Sequence, residues 1–227
     1  PGSLSPKTNL VRNANSTWLI GKPLKQDLEK ILKRDVLIEN DANCFAISEA
    51  FDGAGSKAHT VFGVILGTGV GAGIVIGKKI HKGKNKIAGE WGHNPLPWAN
   101  EGELPGKKCY CGRTGCLETF ISGPAIEREF NNLHGKNLNM KNIVKESGAG
   151  NFKAEQTIRN FEDRLARALA HVINILDPDS IVLGGGLSNI DRLYSNVPKI
   201  WGEYIFSDDV STVLSKASFG DSSGVRG

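Results

Sequence analysis

The clearest periodic pattern of hydrophobic positions lies between residues 158 and 176. Apolar residues recur there at spacings of three and four: Phe161, Leu165, Leu169, Val172 and Leu176. This spacing places them on one face of an α-helix. Asp177-Pro178-Asp179 ends the predicted helix, because proline disfavours helical backbone at the residue before it. The apolar run 180–183 that follows predicts a buried strand leading into a glycine-rich turn.

The pattern in residues 25–50 is less regular. Residues 25–34 alternate charged and apolar side chains, which predicts a short amphipathic helix. Residues 36–39 are β-prone and predict a short strand, and residues 42–50 have helical composition. Asp41 is therefore expected where a strand passes into a helix.

A hairpin is predicted further along the chain. Residues 61–66 and 74–76 are β-branched and apolar, and the glycine-rich segment 67–73 joins them. Residues 77–118 show neither helical nor strand periodicity, so we expect this long irregular segment to have a function or a bound metal. The mixture of helices, strands and glycine turns indicates an α/β architecture.

Composition narrows the classes of function. The chain has 227 residues, of which 39% are hydrophobic and 23% charged, as expected for a globular protein with one large domain or two smaller ones. The net charge is +4 and the basic residues are dispersed, which argues against nucleic acid or membrane as a partner. Neither a leader segment nor an apolar stretch of about 20 residues is present, so we expect a cytoplasmic protein.

The cysteines indicate a metal site. Cys109, Cys111 and Cys116 fall on one short loop, whose glycines permit the sharp turns of a metal cage, whereas Cys44 stands apart and is expected to be a small buried side chain. Three thiols need a fourth ligand, and His93 is the nearest credible one. A closed set of one histidine and three cysteines predicts a structural zinc, with reduced thiols and no metal as the alternative.

Two motifs carry a family resemblance. Gly89-Glu90-Trp91-Gly92-His93, followed by Cys109-x-Cys111-Gly-x-x-Gly-Cys116-x-Glu118, resembles the signature motifs of the ROK family of sugar kinases. Other segments stand where that family would place them: Pro1-Gly2-Ser3, Asn40-Asp41-Ala42-Asn43, Leu66-Gly67-Thr68-Gly69, Leu183-Gly184-Gly185-Gly186 and Gly220-Asp221-Ser222-Ser223-Gly224.

The resemblance implies an actin-like (ribonuclease H-like) ATPase fold with two lobes. We expect residues 1–42 to be the remainder of a small N-terminal lobe, and residues 43–227 to form a large lobe with a zinc loop at 89–118. The family's first phosphate loop, Asp-x-Gly-Gly-Thr, and its terminal return helix do not occur in this sequence. We therefore expect the chain to be a piece of the complete kinase.

The resemblance also implies roles for individual residues. Asp41 would be the general base that takes the proton of a sugar hydroxyl as the hydroxyl attacks the γ-phosphate of ATP. Taken alone, an aspartate here would more readily be interpreted as a helix cap. The implied sugar-binding residues are Gly2, Ser3, Asn15, Asn40, Asp41, Glu90, His93 and Glu118. One ring nitrogen of His93 would bind zinc while the other faces a sugar hydroxyl.

The implied nucleotide contacts are two glycine turns. Gly67, Thr68 and Gly69 would approach the phosphates of ATP, which enters with Mg²⁺, and Gly184, Gly185 and Gly186 would contact adenosine. Each turn is a weak signal by itself, because many such turns only reverse the chain. Neither turn matches the P-loop pattern.

The choice of sugar rests on finer resemblances. Segments 13–18, 91–98 and 177–183 resemble the manno(fructo)kinase branch, so we expect phosphorylation of the 6-hydroxyl of fructose, with mannose secondary. Segments 21–24 and 41–46 are shared with N-acetylglucosamine kinases, which are the alternative. A sugar-responsive repressor and a zinc-stabilised interaction module are less favoured, because only a catalyst requires Asp41. The family resemblance also implies a homodimer.

Overall fold

The structure is a computed structural model that describes residues 2–14, 16–220 and 223–227. Pro1, Asn15, Asp221 and Ser222, which belong to segments named above, lie outside the described residues. The strands in the described part are β1 (Ser3–Leu4), β2 (Val11–Arg12), β3 (Thr60–Leu66), β4 (Val70–Ile76), β5 (Lys79–Ile80), β6 (Ser180–Gly184) and β7 (Val213–Lys216). The α-helices there are α1 (Leu24–Leu32), α2 (Asp41–Phe51), α3 (Glu118–Ile121), α4 (Gly123–His134), α5 (Met140–Gly148), α6 (Phe152–Leu176), α7 (Leu193–Trp201) and α8 (Ser223–Arg226).

The main sheet has the strand order β5-β4-β3-β6-β7. Strand β4 is antiparallel to β3 and β5, whereas β3, β6 and β7 are parallel. The carboxyl ends of β3 and β6 therefore meet at one edge of the sheet, with Ile65 paired to Gly184. Strands β1 and β2 form a separate antiparallel pair.

Helices cover both faces of the main sheet. On one face, Phe45 and Ala46 of α2 pack against Val61, Val75 and Val182 in a small core. The other face carries the larger core, in which the buried side of α6 packs with residues of α4, α5 and α7. The expected α/β layering is thus confirmed, and the 3.6-residue pattern of α6 corresponds to its buried face.

Helix α2 lies close to the hairpin of β3 and β4 because two strand residues that face the helix, Gly63 and Gly73, lack side chains. Gly63 and Gly73 are paired across the hairpin. A Cβ at Gly63 would lie 2.8 Å from Ala46, and one at Gly73 would lie 2.6 Å from the carbonyl oxygen of Ala42. The glycines therefore set the distance between α2 and the sheet, and with it the position of Asp41 at the start of the helix.

Several predicted elements are confirmed with adjusted ends. The hairpin forms, but β4 already begins at Val70, so the turn is shorter than the predicted segment 67–73. Helix α6 begins at Phe152 rather than near residue 158, because the side chain of Asn151 accepts hydrogen bonds from the backbone of Lys153 and Ala154.

The strand predicted at residues 36–39 is wrong. The backbone of these residues has no strand partner, and Val36 N–H donates to Glu29 Oε1 at 3.2 Å instead. Directly after the segment, Asn40 N–H donates to Glu39 Oε1 at 3.0 Å. The segment is an irregular connection into α2. The expected lobe boundary at residue 42 falls within the first turn of that helix and stays a prediction.

The irregular segment 77–118 is anchored to α6 by buried charges. Glu103 accepts hydrogen bonds from Arg164 Nε at 2.8 Å and from both terminal nitrogens of Arg167, and all three residues are buried. Burial alone would raise the pKa of the Glu103 carboxyl, but the bonds from Arg167 and Arg164 outweigh it and lower this pKa from 4.5 to about 2. The carboxylate therefore ties the segment to the central helix.

We expect Glu103→Gln to lower the free energy of unfolding at pH 7 by about 3 kcal/mol, the stabilisation that corresponds to this pKa shift. The pKa is depressed in the folded state, so the stabilisation is present above about pH 4.5 and is lost as the pH falls toward about 2. Urea unfolding at a series of pH values should show the difference from wild type shrinking over this range. Glu101→Gln, at an exposed position on the same turn, is the control and should behave like wild type at every pH.

Candidate functional site

The first turn of α2 presents Asp41. Asn40 caps the helix, with its Oδ1 accepting hydrogen bonds from Ala42 N–H at 2.9 Å and from Asn43 N–H at 3.4 Å. Asp41 is the first helical residue, is exposed, and accepts from the same Ala42 N–H at 3.0 Å. The Asn40 amide oxygen is thus engaged in capping, which fixes the backbone that carries the Asp41 carboxylate.

A cavity of about 130 Å³ opens beside this turn. Its walls bring together four of the predicted sugar-binding residues: Ser3, Asn40, Asp41 and Glu90. Lys82 and Lys86 also line it and place positive charge among the carboxylates. The arrangement offers a hexose hydroxyl group both a carboxylate acceptor and polar neighbours.

Glu39 also lines this cavity and was missed by the sequence reasoning. It accepts from Asn43 Nδ2 at 2.8 Å and from Asn40 N–H at 3.0 Å, and it pairs with Lys82 Nζ at 2.5 Å. Burial raises the pKa of the Glu39 carboxyl, but the hydrogen bonds from Lys82 and Asn43 lower it overall. The sequence feature that could have indicated Glu39 is its position directly before the Asn40-Asp41 pair.

The segment that carries Glu90 and His93 lies directly against β4. A Cβ at Gly89 would collide with the carbonyl oxygen of Ala72, and one at Gly92 would collide with that of Val70. Trp91, between them, packs its ring edge-on against Phe62 at 5.7 Å between ring centroids. These contacts fix the backbone on both sides of Glu90.

The predicted metal ligands converge. His93, Cys109, Cys111 and Cys116 each offer a ligand atom, and these atoms lie within 4.8 Å of one another. The Sγ atoms of Cys111 and Cys116 are 3.6 Å apart, as are Cys109 Sγ and His93 Nδ1. A tetrahedron with bonds of about 2.3 Å has edges of about 3.8 Å, so the four atoms fit a zinc ion.

His93 faces the cluster with one nitrogen only. Its Nδ1 points toward Cys109, whereas its Nε2 lies 3.0 Å from the hydroxyl of Tyr110. The family resemblance implied that this second nitrogen would face a sugar hydroxyl. In the structure a phenol hydroxyl takes this position, and Tyr110 was not among the predicted residues.

Glu118 lies apart from the cavity, at the start of α3. Its Oε2 accepts a hydrogen bond from Val70 N–H at 3.0 Å and lies against Gly69. The carboxylate therefore joins the end of the cysteine loop to the turn between β3 and β4. Glu118 does not line the cavity that contains Asp41.

The two glycine turns meet at the carboxyl ends of β3 and β6. Gly67 O accepts from Gly123 N–H at 2.9 Å, and a Cβ at Gly185 would lie 2.5 Å from the carbonyl oxygen of Leu66. Gly184 is required by packing, because a side chain there would collide with the Phe45 ring. Gly67 and Gly186 have open space where a side chain would be, so these two could admit a ligand close to the backbone.

The remaining predicted sugar residues lie near the N-terminus. Gly2 has a φ of +86°, and a Cβ there would lie 2.5 Å from Arg12 O, so its backbone geometry follows from the pairing of β1 with β2. Ser3 lines the cavity with Asp41, and Asn15 lies outside the described residues.

Known proteins of similar sequence identify the family of the chain. The model of the ROK family matches residues 1–227. The N-acetyl-D-glucosamine kinase of Yersinia pseudotuberculosis is 38% identical over 231 residues, which cover 100% of this chain and 76% of the relative.

Two solved structures share the fold. The ROK hexokinase from Thermus thermophilus superimposes with a TM-score of 0.86 at 28% identity, covering 100% of this chain and 74% of that one. A ROK family glucokinase from Streptomyces griseus, in complex with glucose and AMPPNP, has a TM-score of 0.83 at 27% identity, covering 99% and 77%. The fold is therefore the actin-like, ribonuclease H-like ATPase fold, and the chain belongs to the ROK family.

Proposed function

We propose that this chain is the body of an ATP-dependent sugar kinase that phosphorylates the 6-hydroxyl of N-acetylglucosamine. The observation that carries the proposal is the cavity in which Asp41, held by the capped turn of α2, faces Glu90 on a segment that continues into the cysteine cluster. Membership of the ROK family and the similarity to sugar kinases support the reaction type.

The expected preference for fructose is replaced by the alternative. Relatives that are 38% to 40% identical and match 100% of this chain are named N-acetyl-D-glucosamine kinase. The segment 41–46, shared with that branch, includes the proposed base and lines the cavity with Asp41, Ala42 and Asn43. The comparisons therefore favour the amide sugar.

In the proposed mechanism Asp41 accepts the proton of the 6-hydroxyl. The sugar oxygen forms a bond to the γ-phosphorus while the bond between that phosphorus and the β,γ-bridging oxygen breaks, and ADP leaves. ATP enters as its Mg²⁺ complex, in which the cation neutralises phosphate charge. We assign the phosphates to the turn at Gly67, Thr68 and Gly69, and adenosine to the open side of Gly186.

Zinc has a structural part in this proposal. With His93 and the three cysteines as ligands a zinc ion would have no open position, so it would hold the loop that carries His93 and Glu118 rather than activate a substrate. A homodimer and the two-lobe division stay predictions. In the described residues no helix is both long and apolar enough to cross a membrane.

The substrate assignment is tested with the full-length protein and ATP. Initial rates with N-acetylglucosamine, fructose, mannose and glucose should give the highest kcat/KM for N-acetylglucosamine. The reason is that segment 41–46, which contains the proposed base, is shared with the N-acetylglucosamine kinases. A higher kcat/KM for fructose would return the assignment to the fructokinase branch, and absence of phosphorylation of every hexose would reject the kinase itself.

Asp41→Asn should lower kcat about 10²- to 10⁴-fold, the usual contribution of a general base. Asparagine retains an oxygen that can accept the hydrogen bond from Ala42 N–H, so we expect the helix, the zinc content and the sugar affinity to be kept. Steady-state kinetics and sugar titration calorimetry measure these quantities. Asp27→Asn, on the exposed side of α1, is the control and should retain the wild-type kcat; a D41N enzyme with wild-type kcat would exclude Asp41 as the base.

Cys116→Ser should abolish stoichiometric zinc binding, because Cys116 is one of the four converging ligands and is buried. Metal analysis of the purified protein measures this directly, and we expect sugar affinity to fall together with zinc content. Cys44→Ser is the matched control, since Cys44 lies outside the cluster and should leave one zinc per chain. Equal zinc content in both variants would show that the cluster is not the metal site.

A further inference from the structure

We propose that the hydroxyl group of Tyr110 contacts the bound sugar and extends the hydrogen-bonding reach of His93 along the groove that adjoins the cavity of Asp41 at Glu90. The inference rests on the proposed function and adds a sugar-binding residue to it. It is carried by the hydrogen bond between Tyr110 and the His93 nitrogen that faces away from the cysteine cluster.

Backbone and ring contacts orient Tyr110 toward His93. The residue lies between two metal ligands, Cys109 and Cys111, on a tight turn in which Cys109 N–H donates to Arg113 O at 2.8 Å and Gly112 N–H donates to Cys109 O at 3.0 Å. The phenol ring packs edge-on against the imidazole, with 5.1 Å between ring centroids and an interplanar angle of 84°. The hydroxyl is thus directed by both its ring contact and its backbone.

The direction of the hydrogen bonds follows from the two ring nitrogens of His93. Nδ1 faces Cys109 and is the nitrogen available to a metal, so the proton of the neutral ring resides on Nε2. Nε2–H then donates to the oxygen of Tyr110. The phenol proton remains to be donated, and a tyrosine hydroxyl can accept one hydrogen bond and donate another at the same time.

A sugar oxygen is the acceptor that the surroundings favour. Glu90, His93 and Tyr110 line one groove of about 850 Å³, and Glu90 and Gly89 also line the cavity that contains Asp41. The Tyr110 residue is 70% exposed, so a ligand can reach its hydroxyl. A hexose that extends from Glu90 along this groove can therefore reach the phenol hydroxyl.

The test uses Tyr110→Phe in the full-length protein, which removes the hydroxyl and keeps the ring. We expect KM for N-acetylglucosamine, and the Kd of the sugar from calorimetry, to rise about 2- to 12-fold, the range for one hydrogen bond between neutral groups. KM for ATP and kcat should change less than about 2-fold, because the hydroxyl is assigned to the sugar alone. Tyr204→Phe is the matched control and should match wild type, because Tyr204 packs against Trp98 and lines neither the groove nor the cavity.

Zinc content separates a sugar contact from a purely structural role. We expect Tyr110→Phe to retain one zinc per chain, since the four ligands remain. Unchanged sugar Kd in Y110F would overturn the proposal, and so would a weakened Kd that added zinc restores, because the hydroxyl would then act only on the metal site. A wild-type protein that binds N-acetylglucosamine without phosphorylating it would reject the proposed function and still leave the Tyr110 contact measurable by calorimetry.

Discussion

The structure depends on the close approach of two segments to the backbone of strand β4. Helix α2 reaches one face because Gly63 and Gly73 lack side chains, and the segment with Glu90 and His93 reaches the strand because Gly89 and Gly92 lack them. Val70, Ala72 and Gly73 are paired with β3, and this backbone cannot yield to an added side chain without loss of ladder hydrogen bonds. Strand β4 therefore sets the position of Asp41, the proposed base, relative to the segment with Glu90 and His93.

Segment 77–118 shows how a long stretch with little regular structure is held in place. At one point Glu103 is fixed by Arg164 and Arg167 of α6, and at another the four metal ligands converge. Separating one partner of a buried ion pair leaves an uncompensated charge, which costs about 3–5 kcal/mol. These side-chain contacts order the segment where the backbone hydrogen bonds of a strand or helix are missing. The absence of periodicity in the sequence therefore does not imply an unstructured segment.

The sequence was sufficient for elements whose signal is local. The period of α6, the hairpin and the cysteine spacing each follow from residues near one another in the chain, and the resemblance named Asp41 and Glu90, which line one cavity. The strand at 36–39 failed because strand formation needs a partner that no local pattern supplies. The packing roles of Gly184 and Gly185 could not be predicted from the sequence either. A glycine required by the Phe45 ring or the Leu66 carbonyl cannot be distinguished, in the sequence alone, from a glycine required by a nucleotide.

Tyr110 and Glu39 were missed for a related reason. Each acts through a neighbour: Glu39 accepts from Asn40 and Asn43, and Tyr110 pairs with His93. Residue type alone gives such side chains no distinguishing mark, because a tyrosine between cysteines or a glutamate before a helix is usually a solvated surface residue. Their positions also indicate separate roles in the proposed kinase. Glu39 fixes the turn that carries the proposed base, while a bound metal and Tyr110 would support the segment with Glu90 and His93. His93 is itself one of the four ligands, whereas Glu118, which contacts the turn at Gly69, is not a ligand. The metal should therefore act on sugar recognition more than on phosphoryl transfer.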